Sequence, residues 1–291
     1  MNSAYKIPLD EKTYFVNFSG GRSSGFMLYQ ILKQNNGLPV NTFAVFANTG
    51  REMPQTLDFV NECSCKFGVD ITWLEYTFDK NASGGKSDPK HKHKVVNHAT
   101  ASRNGEPFEA MIKARNYLPN VVSRICTSEL KVKLIKRFAK RSLSVKESSV
   151  INVLGIRYDE PQRWNKATFQ HCDTIFPMVY AKHTKKDVFD FWDGQDFDLR
   201  LDRNGYLGNC DLCFLKGKGK LKSIINHYPH LAGWWVEQEQ HVLKQKGVKL
   251  QHKYMAQFNK NFSYQDLIDS VEHQPEIDFI GQAEVDCFCG D

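Results

Sequence analysis

No apolar run in this sequence approaches the roughly 18 residues that a membrane-spanning helix needs, so no spanning segment is expected. The opening stretch MNSAYKIPLDEK lacks the apolar centre of a secretory leader, which makes the cytoplasm the expected compartment. Internal repeats and low-complexity linkers are absent, which argues against solenoids and tethered arrays. The GxxxxGK[ST] loop of Walker-type nucleotidases is absent too. What is present is ordinary for a globular protein: 291 residues, 41% hydrophobic and 25% charged. Eight cysteines are many for a chain of this size. In a reducing compartment clustered cysteines point to metal binding or chemistry before disulfides. The net charge of +6 is concentrated in Lys86–Arg103, Lys131–Arg141 and Lys216–Lys222, which points to anionic partners such as nucleotide, nucleic acid or sulfate, with a solvated surface as the equal alternative for any one run.

Hydrophobic periodicity predicts an α/β order. Thr13–Phe18, Thr42–Ala47, Ile71–Tyr76 and Val150–Ile156 read as buried strands. Gly25–Lys33 and Pro54–Phe67 read as helices between them, the first ended by Asn36 and Gly37. Strands alternating with helices imply a parallel twisted sheet flanked by helices. Residues 77–107, rich in Lys, His, Ser, Gly and Asn, read as a flexible basic loop. His91, His93 and His98 fall in it and are taken as solvated. Phe108–Leu118 and the basic stretch Glu129–Arg141 read as helices. The region from about Asp187 is expected to be mainly helical, interrupted by a glycine-containing loop over 202–222. The expected division is 1–185 as the nucleotide-binding domain and 186–291 as a helical, cysteine-containing region.

The segment Ser19–Gly25 (SGGRSSG) sits between the first strand and the first helix. Its glycines allow positive φ and close backbone approach to an anion. Loop N–H groups, the helix dipole and the hydroxyls of Ser19, Ser23 and Ser24 all favour phosphate, and Arg22 adds a fixed cation. Ala47 and Asn48 end the second strand, where open α/β sheets bind ligands. Gly155 ends a buried strand and Arg157 follows it, placed either to stabilise developing phosphate charge or to pair with Asp159 or Glu160. Glu52 either contributes to the site or caps the helix that starts near Pro54.

Cys210 and Cys213 form C-x-x-C, Cys126 precedes the basic helix, and Cys287 and Cys289 close the chain. Thiolates at such spacing can hold zinc or an iron–sulfur cluster, and spacing does not choose between them. Cys63, Cys65 and Cys172 read as structural.

The SGGRSSG loop resembles the SGGxDS loop of the PP-loop ATP pyrophosphatases, and within them the phosphoadenosine phosphosulfate (PAPS) reductase-like group. Asn48–Thr56 (NTGREMPQT), Gly155–Pro161 (GIRYDEP) and Arg124–Lys131 (RICTSELK) resemble that group's further segments, in the same order. The resemblance spans most of the chain. It implies that Ser19, Gly20, Gly21, Arg22, Ser23, Ser24, Asn48, Thr49, Gly50, Glu52, Gly155 and Arg157 bind ATP or a sulfonucleotide, with Mg2+ on the phosphates. Arg22, Ser23, Arg157 and Glu160 are the implied catalytic residues. It further implies a [4Fe–4S] cluster on Cys126, Cys210, Cys213 and Cys289, with Cys287 in reserve and zinc as the alternative. Adenylylation with pyrophosphate release, in sulfur transfer and with nucleic acid or a sulfur-donor protein as partner, is the activity this suggests. A sulfonucleotide reductase is the second reading, although the tail DCFCGD lacks that group's ECG-[IL]-H segment. A non-catalytic zinc- and nucleic-acid-binding module is the third. A homodimer is compatible with all of them. One departure stands out: Ser23 occupies the place of the acidic residue in SGGxDS, and Asp159 or Glu160 is then the candidate for the missing carboxylate.

Overall fold

The computed structural model describes residues 3–82, 90–165, 173–203, 206–208, 210–246 and 256–273. Six strands form one sheet in the order β4-β3-β2-β1-β5-β6. They are β1 Thr13–Asn17, β2 Thr42–Asn48, β3 Ile71–Phe78, β4 His91–Val96, β5 Val150–Leu154 and β6 Thr174–Ile175. All neighbours are parallel except β3 and β4. The central strand β1 buries Tyr14, Phe15 and Val16, as strands covered on both faces do.

Helices α1 (Arg22–Asn35) and α2 (Pro54–Phe67) follow β1 and β2. Asn36 ends α1 in the left-handed conformation with its N–H on the Leu32 carbonyl, and Pro54 opens α2 where its missing N–H costs nothing. Next come α3 (Glu106–Arg115), the single turn α4 (Ile125–Thr127), a π-helical turn over Ser128–Val132, and α5 (Lys133–Ser142). Short helices α6 (Pro161–Trp164) and α7 (Pro177–Tyr180) flank β6. The C-terminal part holds α8 (Lys185–Asp193), α9 (Lys218–His227), α10 (Ala232–Lys246) and α11 (Tyr264–Glu272). Capping boxes Thr184/Asp187 and Ser263/Asp266 fix the starts of α8 and α11.

One continuous hydrophobic cluster links the sheet to these later helices. Trp192 of α8 is the clearest joint. Its indole donates to the Arg22 carbonyl (2.9 Å) and packs edge-on against Phe59 of α2.

Two expectations need correction. Residues 77–107 are not one flexible loop, because 91–96 form β4, antiparallel to β3. The alternation explains it: His91 and His93 face α5, where His93 meets Ser142 (2.9 Å), while Lys92 and Lys94 are exposed. His91 is accordingly not solvated, and His93 and His98 are half-buried. His91 is buried with the Tyr76 hydroxyl 2.5 Å from its Nδ1, and His98 meets Asp58 (2.7 Å). The expected helix Glu129–Arg141 is also not uniform, since the π turn precedes α5.

Glu129, in that π turn, is buried and accepts from Arg115 (2.5 Å), Lys133 (2.8 Å) and Arg137 (2.7 Å). Burial alone would raise its pKa. The hydrogen bonds from Lys133 and Arg137 and the charge of Arg115 outweigh burial and hold it at about 2, against an ordinary 4.5. A depressed carboxyl stabilises the fold above its unfolded pKa and loses that contribution as pH falls through the folded value. Wild-type stability is therefore expected to decline between pH 4.5 and about 2 by an amount that Glu129→Gln does not show. Denaturant titrations of both proteins across that range check it. Parallel declines would remove the assignment.

Candidate functional site

The chain runs from β1 outward to β2 and β3, then returns to place β5 on the other side of β1. The loops leaving β1 and β5 thus diverge at the carboxyl ends of neighbouring strands, the crevice where open α/β sheets bind ligands.

The β1 loop is tightly closed. Gly20 has φ +82°, and a Cβ there would sit 2.6 Å from the Thr56 methyl, so only glycine fits. The hydroxyls of Ser19 and Ser24 lie 3.0 Å apart, the Ser19 N–H donates to Ser24 Oγ (3.2 Å), and Ser24 Oγ donates to the Gly21 carbonyl (2.9 Å). Gly21 is the N-cap of α1, no side chain caps it, and no acid lies in the first turn. The first N–H groups of α1 therefore face the crevice with the positive end of the helix dipole and without an internal anion.

Arg22 behaves differently from the expectation. Its guanidinium is buried and turned to the C-terminal part, where it pairs with Asp198 (2.8 and 3.0 Å) and donates to the carbonyls of Leu199 and Leu201. The side chain is a strut that holds α1 to the segment after α8. Its backbone still belongs to the loop.

Arg157 is a cation beside the β1 loop. Its Nη1 donates to Ser23 Oγ (3.0 Å), Nε to Asp159 (3.0 Å), and Nη2 lies 3.5 Å from Glu160. The pairing with Asp159 and Glu160 is present, and the same guanidinium contacts Ser23 of the β1 loop. Glu160 also accepts the Arg157 N–H (3.0 Å) and Arg163 (2.5 Å), and Asp159 accepts the Lys185 N–H (3.0 Å). These two carboxylates orient cations, so neither stands open to replace the acid that Ser23 displaces.

Gly155 is required by close approach. A Cβ there would lie 2.9 Å from Ser24 Cα and 3.2 Å from Ser24 N, both backbone atoms of the phosphate loop. Gly155→Ala is expected to push the loop aside and weaken ATP binding at least tenfold, about 1.4 kcal/mol. Calorimetric titration of both proteins measures it, and unchanged affinity would mean that the loop tolerates the shift.

The β2 turn closes the third side. Asn48 is fully buried and does not face the crevice: its amide donates to Glu75 (2.7 Å) and the Ser102 carbonyl (2.9 Å), and its oxygen accepts the Gly50 N–H (3.0 Å). Glu52 accepts from the Thr49 N–H (3.0 Å) and hydroxyl (2.9 Å), locking the turn, while Met53 is the cap of α2. Burial pushes the Glu52 carboxyl up, opposed by the charge of Lys131 and by Thr49. Arg51 was not foreseen. It pairs with buried Asp211 and stacks on Trp234 with its carbon 5.0 Å from the ring centre. The signal in the sequence was an acid between the two cysteines of C-x-x-C.

Cys210 reaches this turn, bridging to Glu52 in a short antiparallel contact, with its sulfur 3.5 Å from the Thr49 hydroxyl. Burial pushes its thiol up, reinforced by the Glu52 charge and opposed by Lys131. Cys126 interacts electrostatically with it. Cys213 is buried. Among the described residues, no three or more His, Cys, Asp or Glu side chains are placed to hold a metal ion. The four-cysteine set Cys126, Cys210, Cys213 and Cys289 is therefore not seen as a ligand group among the described residues, and Cys287, Cys289 and Cys172 lie outside them. Cys63 is in the core, whereas Cys65 is exposed. No helix among the described residues is long and apolar enough to cross a membrane.

Residues 13–259 match the family described as Phosphoadenosine phosphosulfate reductase domain. The chain is 28% identical over 207 residues to an uncharacterized nin region protein, ORF290, of Escherichia phage lambda, covering 71% of this chain and 67% of that protein. A loose structural likeness, at TM-score 0.36 and 11% identity, joins it to an NH3-dependent NAD synthetase from Campylobacter jejuni solved with nitrate, covering 96% and 91% of the two chains.

Proposed function

The chain belongs to the phosphoadenosine phosphosulfate reductase domain family, and from that premise we propose that it binds ATP in the crevice and cleaves it between the α- and β-phosphates. Ser19–Ser24 and the first turn of α1 would hold the phosphates through backbone N–H groups and hydroxyls. The nucleophile of an acceptor would attack the α-phosphorus, the bond from that phosphorus to the bridging oxygen would break, and pyrophosphate would leave with the electron pair. The acceptor would emerge adenylylated.

The observation that carries this reading is Arg157 Nη1 at 3.0 Å from Ser23 Oγ, across the gap between the β1 and β5 loops. A guanidinium held there by Asp159 and Glu160 is preorganised for charge that builds on the phosphoryl oxygens and the departing pyrophosphate. Mg2+ would bind through the phosphates themselves and water, because Asp159 and Glu160 are engaged with cations. No step is assigned to the thiols.

Incubation with ATP labelled at the α or the γ position tests the reading. Pyrophosphate and an adenylyl product are expected. Orthophosphate as the sole product would overturn it. Sulfite released from PAPS, and lost in Cys289→Ser, would put the reductase reading in its place.

A further inference from the structure

Residues 129–147 carry seven Lys and Arg against two Glu, a net +5, while the whole chain is only +6. Several cations of the other basic runs are engaged in internal contacts, although Lys94 is exposed. Lys216 is buried and donates to the carbonyls of Gly208 (2.9 Å) and Cys210 (2.6 Å), and Lys220 lies over the Tyr206 ring. Lys92 pairs with Asp79 (2.8 Å), and Arg103 donates to the His98 carbonyl (2.8 Å).

Helix α5 differs. Its inner face buries Leu134, Ile135, Phe138 and Ala139. Between residues 133 and 141 every exposed side chain is a cation: Lys133, Lys136, Lys140 and Arg141. Steps of three and four place the lysines on one stripe, about 10 Å long at 1.5 Å per residue. Two carboxylates oppose them. Glu129 is buried under Lys133, and Glu147 meets Lys136 in an exposed pair (2.5 Å). The one exposed apolar side chain beside the stripe is Val132 at its amino end, whereas protein interfaces are built around an apolar centre. Affinity for nucleic acid, by contrast, comes mainly from cations on phosphates, which repeat about every 3.4 Å along one strand.

We propose that the outward face of α5 is a docking surface for nucleic acid, which it holds by the sugar–phosphate backbone without reading sequence. At its amino end the stripe meets the π turn, whose Lys131 acts on Glu52 and Cys210 at the β2 turn. A strand lying along α5 would therefore be led toward the crevice.

Fluorescence anisotropy of a labelled oligonucleotide, as single strand and as duplex, tests this with the full chain and without ATP. Failure here consequently leaves the nucleotide reading intact. Four phosphate contacts predict that log K falls against log salt with a slope of about −3 for the single strand. The double variant Lys136→Gln/Lys140→Gln should roughly halve that slope and weaken binding at low salt about tenfold or more. Lys136→Arg/Lys140→Arg should bind like the wild type. Both lysines are exposed and the exposed Lys136–Glu147 pair contributes little to stability, so the variants should keep the wild-type melting temperature. No binding at low salt, or a Gln variant with unchanged affinity and slope, would overturn the proposal. So would capture by anionic phosphatidylglycerol vesicles without capture of either oligonucleotide.

Discussion

Arg157→Ala is expected to slow pyrophosphate release from ATP by about 10²- to 10³-fold, the range found when one preorganised donor to a developing oxyanion is removed. The fold should survive. Glu160 keeps Arg163 as partner, and Asp159 keeps the Lys185 N–H, so neither carboxylate is stranded. Ground-state binding should change much less, because the loop N–H groups and the serine hydroxyls stay in place. The loss should accordingly fall on kcat more than on KM. Arg157→Lys should recover only part of it. A lysine keeps the charge but cannot reach Ser23, Asp159 and Glu160 together through one planar fork. Steady-state kinetics with both variants decide the matter. A kcat for Arg157→Ala close to that of the wild type would leave Arg157 as a tie between two loops and nothing more.

That arginine also shows what could be read in advance. Gly155 and Arg157 were legible because a buried strand ending in glycine must be followed by a turn at the sheet's carboxyl edge. The SGGRSSG loop was legible for the same reason, and α2 was bounded by Pro54 at its first position. The role of Arg22 was not legible, since Asp198, its partner, lies 176 residues away and nothing local announces the pair. Strand β4 was missed because four of its six residues are His and Lys, and its Val95 and Val96 fall on opposite faces, so neither face reads as apolar. The strand β6 was missed because it has two residues. Asn48 stood at the right strand end, but its side chain is consumed by Glu75, Ser102 and Gly50, which shape the turn. Position along a strand is written in periodicity. Direction of a polar side chain depends on partners that only the fold supplies.

The largest effect on stability is expected from Asp211→Ala, at about 3–5 kcal/mol, because it strips a buried arginine of its countercharge. Arg51 and Asp211 expose 9% and 4% of their side chains, so water cannot take over the lost contact. Asp211 also accepts the Trp235 indole N–H (2.9 Å) and the Leu212 N–H (2.6 Å), which would be left unpaired in turn. The pair joins the β2 turn to the region that leads into α9 and α10, since the Asp211 N–H bonds the Arg51 carbonyl (2.9 Å) and Arg51 stacks on Trp234. Thermal melting should therefore show a marked fall, on the order of 10 °C for a chain of this size. Asp211→Asn should fall less, as it keeps an acceptor for Trp235. The double variant Arg51→Met/Asp211→Leu separates the penalty of a stranded charge from the worth of the pair. If the stranded guanidinium is the cause, the apolar pair should recover much of what Asp211→Ala loses. It should not recover ATP affinity fully, because Arg51 lies within the turn that Thr49 and Glu52 lock beside the phosphate loop. A single variant that melts like the wild type would show that solvent reaches Arg51 after all, and that the β2 turn is anchored without Asp211.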